Sequence, residues 1–292
     1  MKTNKLALWI FLFPALFLLA VFAFLPIVAS IIMSFFRVDI QGLLHPSTIQ
    51  FVGIRYYTDV LFHGSLLYKA LLNTIIVLVI AMPLTIIISL VLAVMVGSKM
   101  TKGGSVLRVG FFLPAVTNTI AISLVWKWLL NGNNGLFNYI LSFVGIKGPD
   151  WLNNQHTAIF TIIMLVIWES VGPNAILYMA ALSSIPDSVK EAAEIDGATA
   201  WSKFMKIYVP MLVPTTTYVS IMSLIGYLQI FSEPYMLTGG GPVNSTISIV
   251  MVIYNEAFQN FNFGYASALS IVLFFLVFVL SLIHLKIRKL DL

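Results

Sequence analysis

From Leu6 to Phe36 the chain carries no charged residue. A run like this cannot be placed in water, and it matches what a bilayer asks for: about 20 mainly apolar residues to cross a hydrocarbon core about 30 Å thick. Five further segments have the same character. The six predicted spans lie at about 9–36, 70–97, 106–130, 157–182, 211–231 and 264–284. Lipid offers backbone groups no hydrogen-bond partner, so such spans are helices. The expected fold class is an all-α polytopic membrane protein with six transmembrane helices in a single transmembrane domain over 1–292.

Composition agrees. The chain is 60% hydrophobic and 9% charged, against about 25% charged in a soluble domain. Its net charge of +5 invites a nucleic-acid reading, but the basic residues follow topology. With the N-terminus inside, eleven Lys and Arg fall on inner segments and five on outer ones, as the positive-inside rule requires. Both termini are therefore expected in the cytoplasm, with no nucleic-acid partner. The first apolar run is too long for a signal peptide and reads as a retained anchor. Cysteine is absent, which removes disulfide and thiolate chemistry.

An ionisable group inside a span is costly and is a functional candidate for that reason. Glu169 is the clear case, set in "VIWESVGPNAILYM" with Ser170, Pro173 and Asn174 around it. Pro173 predicts a kink with carbonyls turned to a cavity. The fifth span adds Ser223 and Tyr227, one helical turn apart, and Gln229. Hydroxyls and amides beside an aromatic face suit a sugar; the same groups also serve as hydrogen bonds between helices. Glu169 likewise reads either as part of a solute path, or as the partner of a basic group on another subunit, or as a protonated group hydrogen-bonded locally. Trp126, Trp128 and Trp151 sit near a predicted boundary, where aromatic anchoring is the ordinary role. The four histidines are scattered, so neither a metal site nor an acid–base pair is expected, and the chain does not read as an enzyme. There is no GxxxxGK[ST] loop, so any ATP is bound by another chain.

Residues 184–210 are the densest block of charge and are expected on the cytoplasmic side. Asp187 starts a short helix with an apolar side of Val189, Ala192, Ala193 and Ile195; Gly197 ends it, and a second short helix stops before Pro210. This is either a helix lying on lipid or a docking knob for a partner. Mostly alanine on its apolar side, with acidic charge beside it, favours docking.

In "EAAEIDGATAWSKFMKIYVP" the order Glu191-Ala192-Ala193, three residues, Gly197, nine residues, Ile207-Tyr208-Val209-Pro210 resembles the EAA loop of ABC importer permeases, with Val209 where leucine is usual. "RVGFFLPAVTNTIAISLVWKWLLNGNNGLFNYIL" and "LTGGGPVNSTISIVMVIYNEAF" are similar to the carbohydrate (maltose/glycerol-phosphate-type) branch of that family. The resemblance implies a permease subunit of a sugar ABC importer, forming half of the solute pathway. Its implied partners are a second homologous permease, two ATPase subunits, an extracytoplasmic solute-binding protein, the sugar substrate and membrane lipid, in a bacterial or archaeal cytoplasmic membrane. This chain binds no cofactor in that picture; ATP and Mg belong to the ATPase. The cytoplasmic EAA coupling helix docks the ATPase through Glu191, Ala192, Ala193, Asp196 and Gly197, and the substrate-pathway residues are Glu169, Ser170, Asn174, Ser223, Tyr227 and Gln229. The "LTGGGP" loop is expected to face the binding protein or the pathway mouth. An ABC permease for glycerol phosphate or a polyol is the alternative, and a stand-alone secondary carrier a more distant one.

Overall fold

The computed structural model describes residues 5–62, 64–97, 110, 113–114 and 117–290. The chain divides into two compact units, Met1–Ser65 with Val252–Leu276 and Leu66–Met251 with Val277–Leu292.

The first unit opens with an apolar stretch, Trp9–Met33, none of which is buried within the chain. Helix Lys5–Leu19 passes into a five-residue π segment, Ala20–Phe24, and resumes as Leu25–Met33. Pro26 lacks a backbone donor, and the widened turns ahead of it absorb the missing bond. After this helix, Phe36–Arg37 pairs antiparallel with Gln50–Phe51. Phe36 stands opposite Phe51, and their rings meet edge-on at 5.2 Å. This two-residue ladder is a small departure from the all-helical expectation. Between the strands, Asp39 caps helix Ile40–Leu44 by accepting from the Gly42 amide at 2.8 Å.

The second unit is built on helix Ser65–Gly97. Pro83 lies inside it, as Pro14 and Pro173 lie inside theirs. Its buried polar residues are all satisfied. Thr74 donates to the Ala70 carbonyl at 2.8 Å, Ser89 to that of Val171 at 3.2 Å, and Thr85 meets the Tyr227 hydroxyl at 2.7 Å. Most of the first half of the predicted third span lies outside the described residues. Its remainder is helix Thr119–Leu129, capped by the Asn118 side chain and only 11 residues long. Helix Ala158–Ser183 follows, nearly half of its apolar window buried. The chain then bends by 68° between Ala200–Met211 and Val213–Leu228. Among the described residues four helices are long and apolar enough to cross a membrane, or five if this bent pair counts as one span.

Leu212, at the bend, belongs to a buried cluster with Leu90, Ala93, Tyr178 and Val219. Phe204, Tyr208 and Val209 pack against the same cluster. The two short helices of residues 184–211 are thus rooted in the bundle by their second half.

Of the three tryptophans expected as boundary anchors, one is buried and one half-buried. Trp126 is buried and tilts against Trp168 at 5.6 Å, while Trp151 donates its indole N–H to Asn138 at 2.7 Å. Trp128 alone of the three is well exposed. Nearness to a span's end, from which the anchoring role was expected, says nothing of the face that Trp126 occupies.

The loop 239–248 is strapped to the start of helix Ser65–Gly97. The Lys69 ammonium donates to the Val243 carbonyl at 2.5 Å, and the Asn73 amide donates to the carbonyls of Asn244 and Ile247, both at 3.0 Å. Within the loop Thr246 holds Thr238 at 2.6 Å and the Gly241 carbonyl at 2.9 Å. Gly240 takes φ +87°, and Val243 and Asn244 also have positive φ, 50° and 56°. Side-chain-bearing residues pay for that conformation, so the straps from Lys69 and Asn73 are what hold the tip in shape.

Candidate functional site

Glu169 lies midway along helix Ala158–Ser183, one turn before Pro173. A proline here leaves a carbonyl of the preceding turn without its usual donor, and side chains supply donors nearby. Asn174 gives its amide to the Ser170 carbonyl at 2.9 Å, and Ser89 reaches that of Val171.

This helix, the end of Val213–Leu228 and the start of helix Ser232–Thr238 line an open cavity of about 470 Å³. Its lining includes Glu169, Ser170 and Asn174 from the first helix, Ser223, Tyr227 and Gln229 from the second, and Phe231 and Glu233 beyond. All six pathway residues expected from the sequence therefore converge on one hollow. A larger hollow of about 900 Å³ lies in the first unit, but its walls are nearly all hydrocarbon, from Ile31, Phe35, Phe274 and Phe275 among others. It offers a hydroxylated solute little to bond.

The six residues are not equally free. Tyr227 is 6% exposed, and its hydroxyl is engaged by Thr85 and within reach of Ser170. It presents ring surface more than a spare hydroxyl. Ser223 is buried, whereas Gln229 is exposed at the C-terminus of its helix, which frees its amide. Asn174 has committed one donor and retains its carbonyl oxygen. Glu169 Oε1 is buried and has no hydrogen-bond partner.

Glu233 was not anticipated. It stands in the first turn of helix Ser232–Thr238, and its carboxyl lies within hydrogen-bonding reach of that of Glu169. The signal was present in Ser232-Glu233-Pro234: an acidic residue beside a proline marks a helix start. That start returns the chain towards the bundle, since helix Ser232–Thr238 packs on Thr119–Leu129 and on Ala158–Ser183. Phe231 stacks on Tyr235 at 5.1 Å and closes this side. Among the described residues no group of three or more His, Asp and Glu is placed to hold a metal ion.

The other set of expected residues forms a separate surface. Helix Asp187–Ile195 ends in paired bonds from the Ala198 amide to Ala193 and from the Gly197 amide to Glu194, at 2.9 and 3.1 Å. That is a Schellman close, and Gly197 takes the left-handed φ of +69° it demands. A Cβ at Gly197 would meet no atom within 4 Å. Thr199 then caps Ala200–Lys203, accepting from the Ser202 amide at 3.2 Å. Two ion pairs brace the knob, Lys190–Asp187 and Lys203–Glu194, both at 2.9 Å. Glu191, Ala192, Asp196 and Gly197 are exposed, while Ala193 is buried. On the apolar side Ile195 is 86% exposed, and Trp201 stands out at 66%.

Residues 52–289 match the family described as "Binding-protein-dependent transport system inner membrane component". The arabinooligosaccharides transport system permease protein AraP of Bacillus subtilis is 33% identical over 98% of this chain and 89% of its own length. The lactose transport system permease protein LacF of Rhizobium radiobacter is 35% identical over 94% and 92%. In fold, the chain superposes on a bacterial ABC transporter involved in the import of the acidic polysaccharide alginate, with a TM-score of 0.84 at 21% identity, covering 98% of this chain and 96% of that one. With a family match over most of its length and a membrane-spanning fold of that kind, the chain belongs to the binding-protein-dependent inner-membrane transport components, as an ABC transporter permease of the sugar branch.

Proposed function

We propose that this permease forms half of a sugar pathway whose polar lining is the cavity around Glu169, and that it is driven by an ATPase docked on the knob of residues 187–208. The observation that carries the reading is a division of labour in one chain. One set of polar residues converges on a cavity of about 470 Å³. A second set, Glu191, Ala192, Asp196 and Gly197, faces outward on a rigidly closed knob. Phe204 and Tyr208 join that knob to the core helices, so a push on the knob moves packed side chains. Rigid coupling of this kind lets a distant event bias two states of the pathway.

In this reading both termini and the knob lie in the cytoplasm and six spans cross the membrane. The third span includes helix Thr119–Leu129 and the residues before it. The loop 239–248 then faces outward, toward a solute-binding protein. A second permease completes the pathway. Two ATPase subunits supply ATP and Mg, and this chain performs no covalent chemistry.

The test is co-purification from native membrane, wild type beside Gly197→Asp. Open space surrounds the missing Cβ, so the substitution acts through backbone conformation, about 1–2 kcal/mol, and through the face it presents. The expected result is an ATPase and a second permease with the wild type, and at least tenfold less ATPase with the variant. A wild type that purifies alone and still moves solute defeats the proposal.

A further inference from the structure

We propose that the Glu169–Glu233 pair is a charge filter, which admits uncharged, hydroxyl-rich saccharides to this cavity and refuses those carrying carboxylates or phosphates. This rests on the reading of the cavity as the solute pathway.

The two carboxyl groups come from different helices and meet at the cavity wall. Among the described residues that line the hollow there is no Lys, Arg or His. The remaining polar groups are amides and hydroxyls, and the Tyr227 hydroxyl is already engaged. Glu169 Oε1 is a buried acceptor with no donor. A buried acceptor of that kind is expensive to leave empty, and a sugar hydroxyl is a donor of the right class. Vicinal hydroxyls can satisfy two carboxyl groups at once. An anionic sugar brings further acceptors and its own negative charge to a wall of carboxyl oxygens with no cation among its described lining residues. Fold does not set this preference, since a chain of the same architecture belongs to an importer of an acidic polysaccharide. The discriminating groups are the two glutamates.

The test uses the purified complex of this chain with its second permease and ATPase, without a binding protein, so that selection by the latter does not enter. Equilibrium binding is measured with maltotriose, lactose and arabinotriose as neutral probes and trigalacturonate as the acidic one. At least one neutral sugar is expected to bind, with trigalacturonate weaker by about tenfold or more. In the E169Q/E233Q variant the gap is expected to close to within about threefold, with E233Q alone between the two. Equal binding of acidic and neutral sugars by the wild type overturns the filter and leaves the pathway standing. An unchanged gap in the double variant overturns it as well. If the double variant sheds the second permease, the carboxyls belong to a subunit contact and the proposal falls. Absence of binding by every probe removes the pathway reading beneath it.

Discussion

The knob at 187–208 and the cavity around Glu169 hold much of the chemistry in a chain that is only 9% charged, and they use it in opposite ways. On the knob, charges pair with near neighbours across open solvent, and the residues left over face outward. In the cavity, polar groups from different helices face one another, and bonds such as Thr85–Tyr227 join residues 142 positions apart. The knob's shape is local and is set by caps and a glycine. The cavity's shape is set by packing of the whole second unit. A surface made from local structure keeps its own shape when it is docked on, whereas a cavity made from distant helices changes when any of them moves.

Ala193→Asp is the sharpest way to break that contrast. Ala193 is 7% exposed and is the one docking candidate that faces inward. A buried unpaired charge there is expected to cost roughly 3 kcal/mol. The knob should become sensitive to limited proteolysis and lose the ATPase, while solute binding at the cavity persists. Loss of both together would show that the two regions are one cooperative unit.

Tyr227→Phe probes the cavity from inside. Deleting the hydroxyl leaves Thr85 without its partner, an expected loss of about 1–2 kcal/mol. The measurable result is a Tm lower by about 2–4 °C with weaker solute binding and an unchanged yield of co-purified ATPase. Reduced ATPase yield would contradict the separation.

The smallest effect is expected from Glu194→Gln. It removes the ion pair with Lys203, in which the glutamate side chain is 66% exposed. Pairs of this kind contribute less than about 1 kcal/mol, and raised salt should abolish the difference. A shift in Tm as large as that of Tyr227→Phe would place the knob's stability in its charges, where the packing of Phe204 and Tyr208 is held to supply it.

Much of this was legible in the sequence because it is periodic or local. The Asp187 start, the Gly197 turn and the apolar windows each follow from neighbours in the chain, and six polar residues from two spans do meet. The remainder depended on distance. Thr85 is an ordinary threonine in an apolar helix until Tyr227 arrives beside it. Glu233 follows the predicted end of a span, where the local sequence names no neighbour for it, although the helix it starts turns back against Ala158–Ser183. Trp126 and Trp151 were placed by depth, but their faces are decided by Trp168 and Asn138. The third span was drawn from composition, and residues 98–109, which precede or open it, lie outside those described.

The straps on the loop 239–248 bear on how such proteins can be recombined. Its tip keeps its form through Lys69 and Asn73, whose partners lie as far as 174 positions along the chain. A chimera that exchanges only those ten residues moves the tip without its fastenings. The transplantable module is a composite of two separated segments, and domain-swap designs that cut by contiguous sequence will divide it.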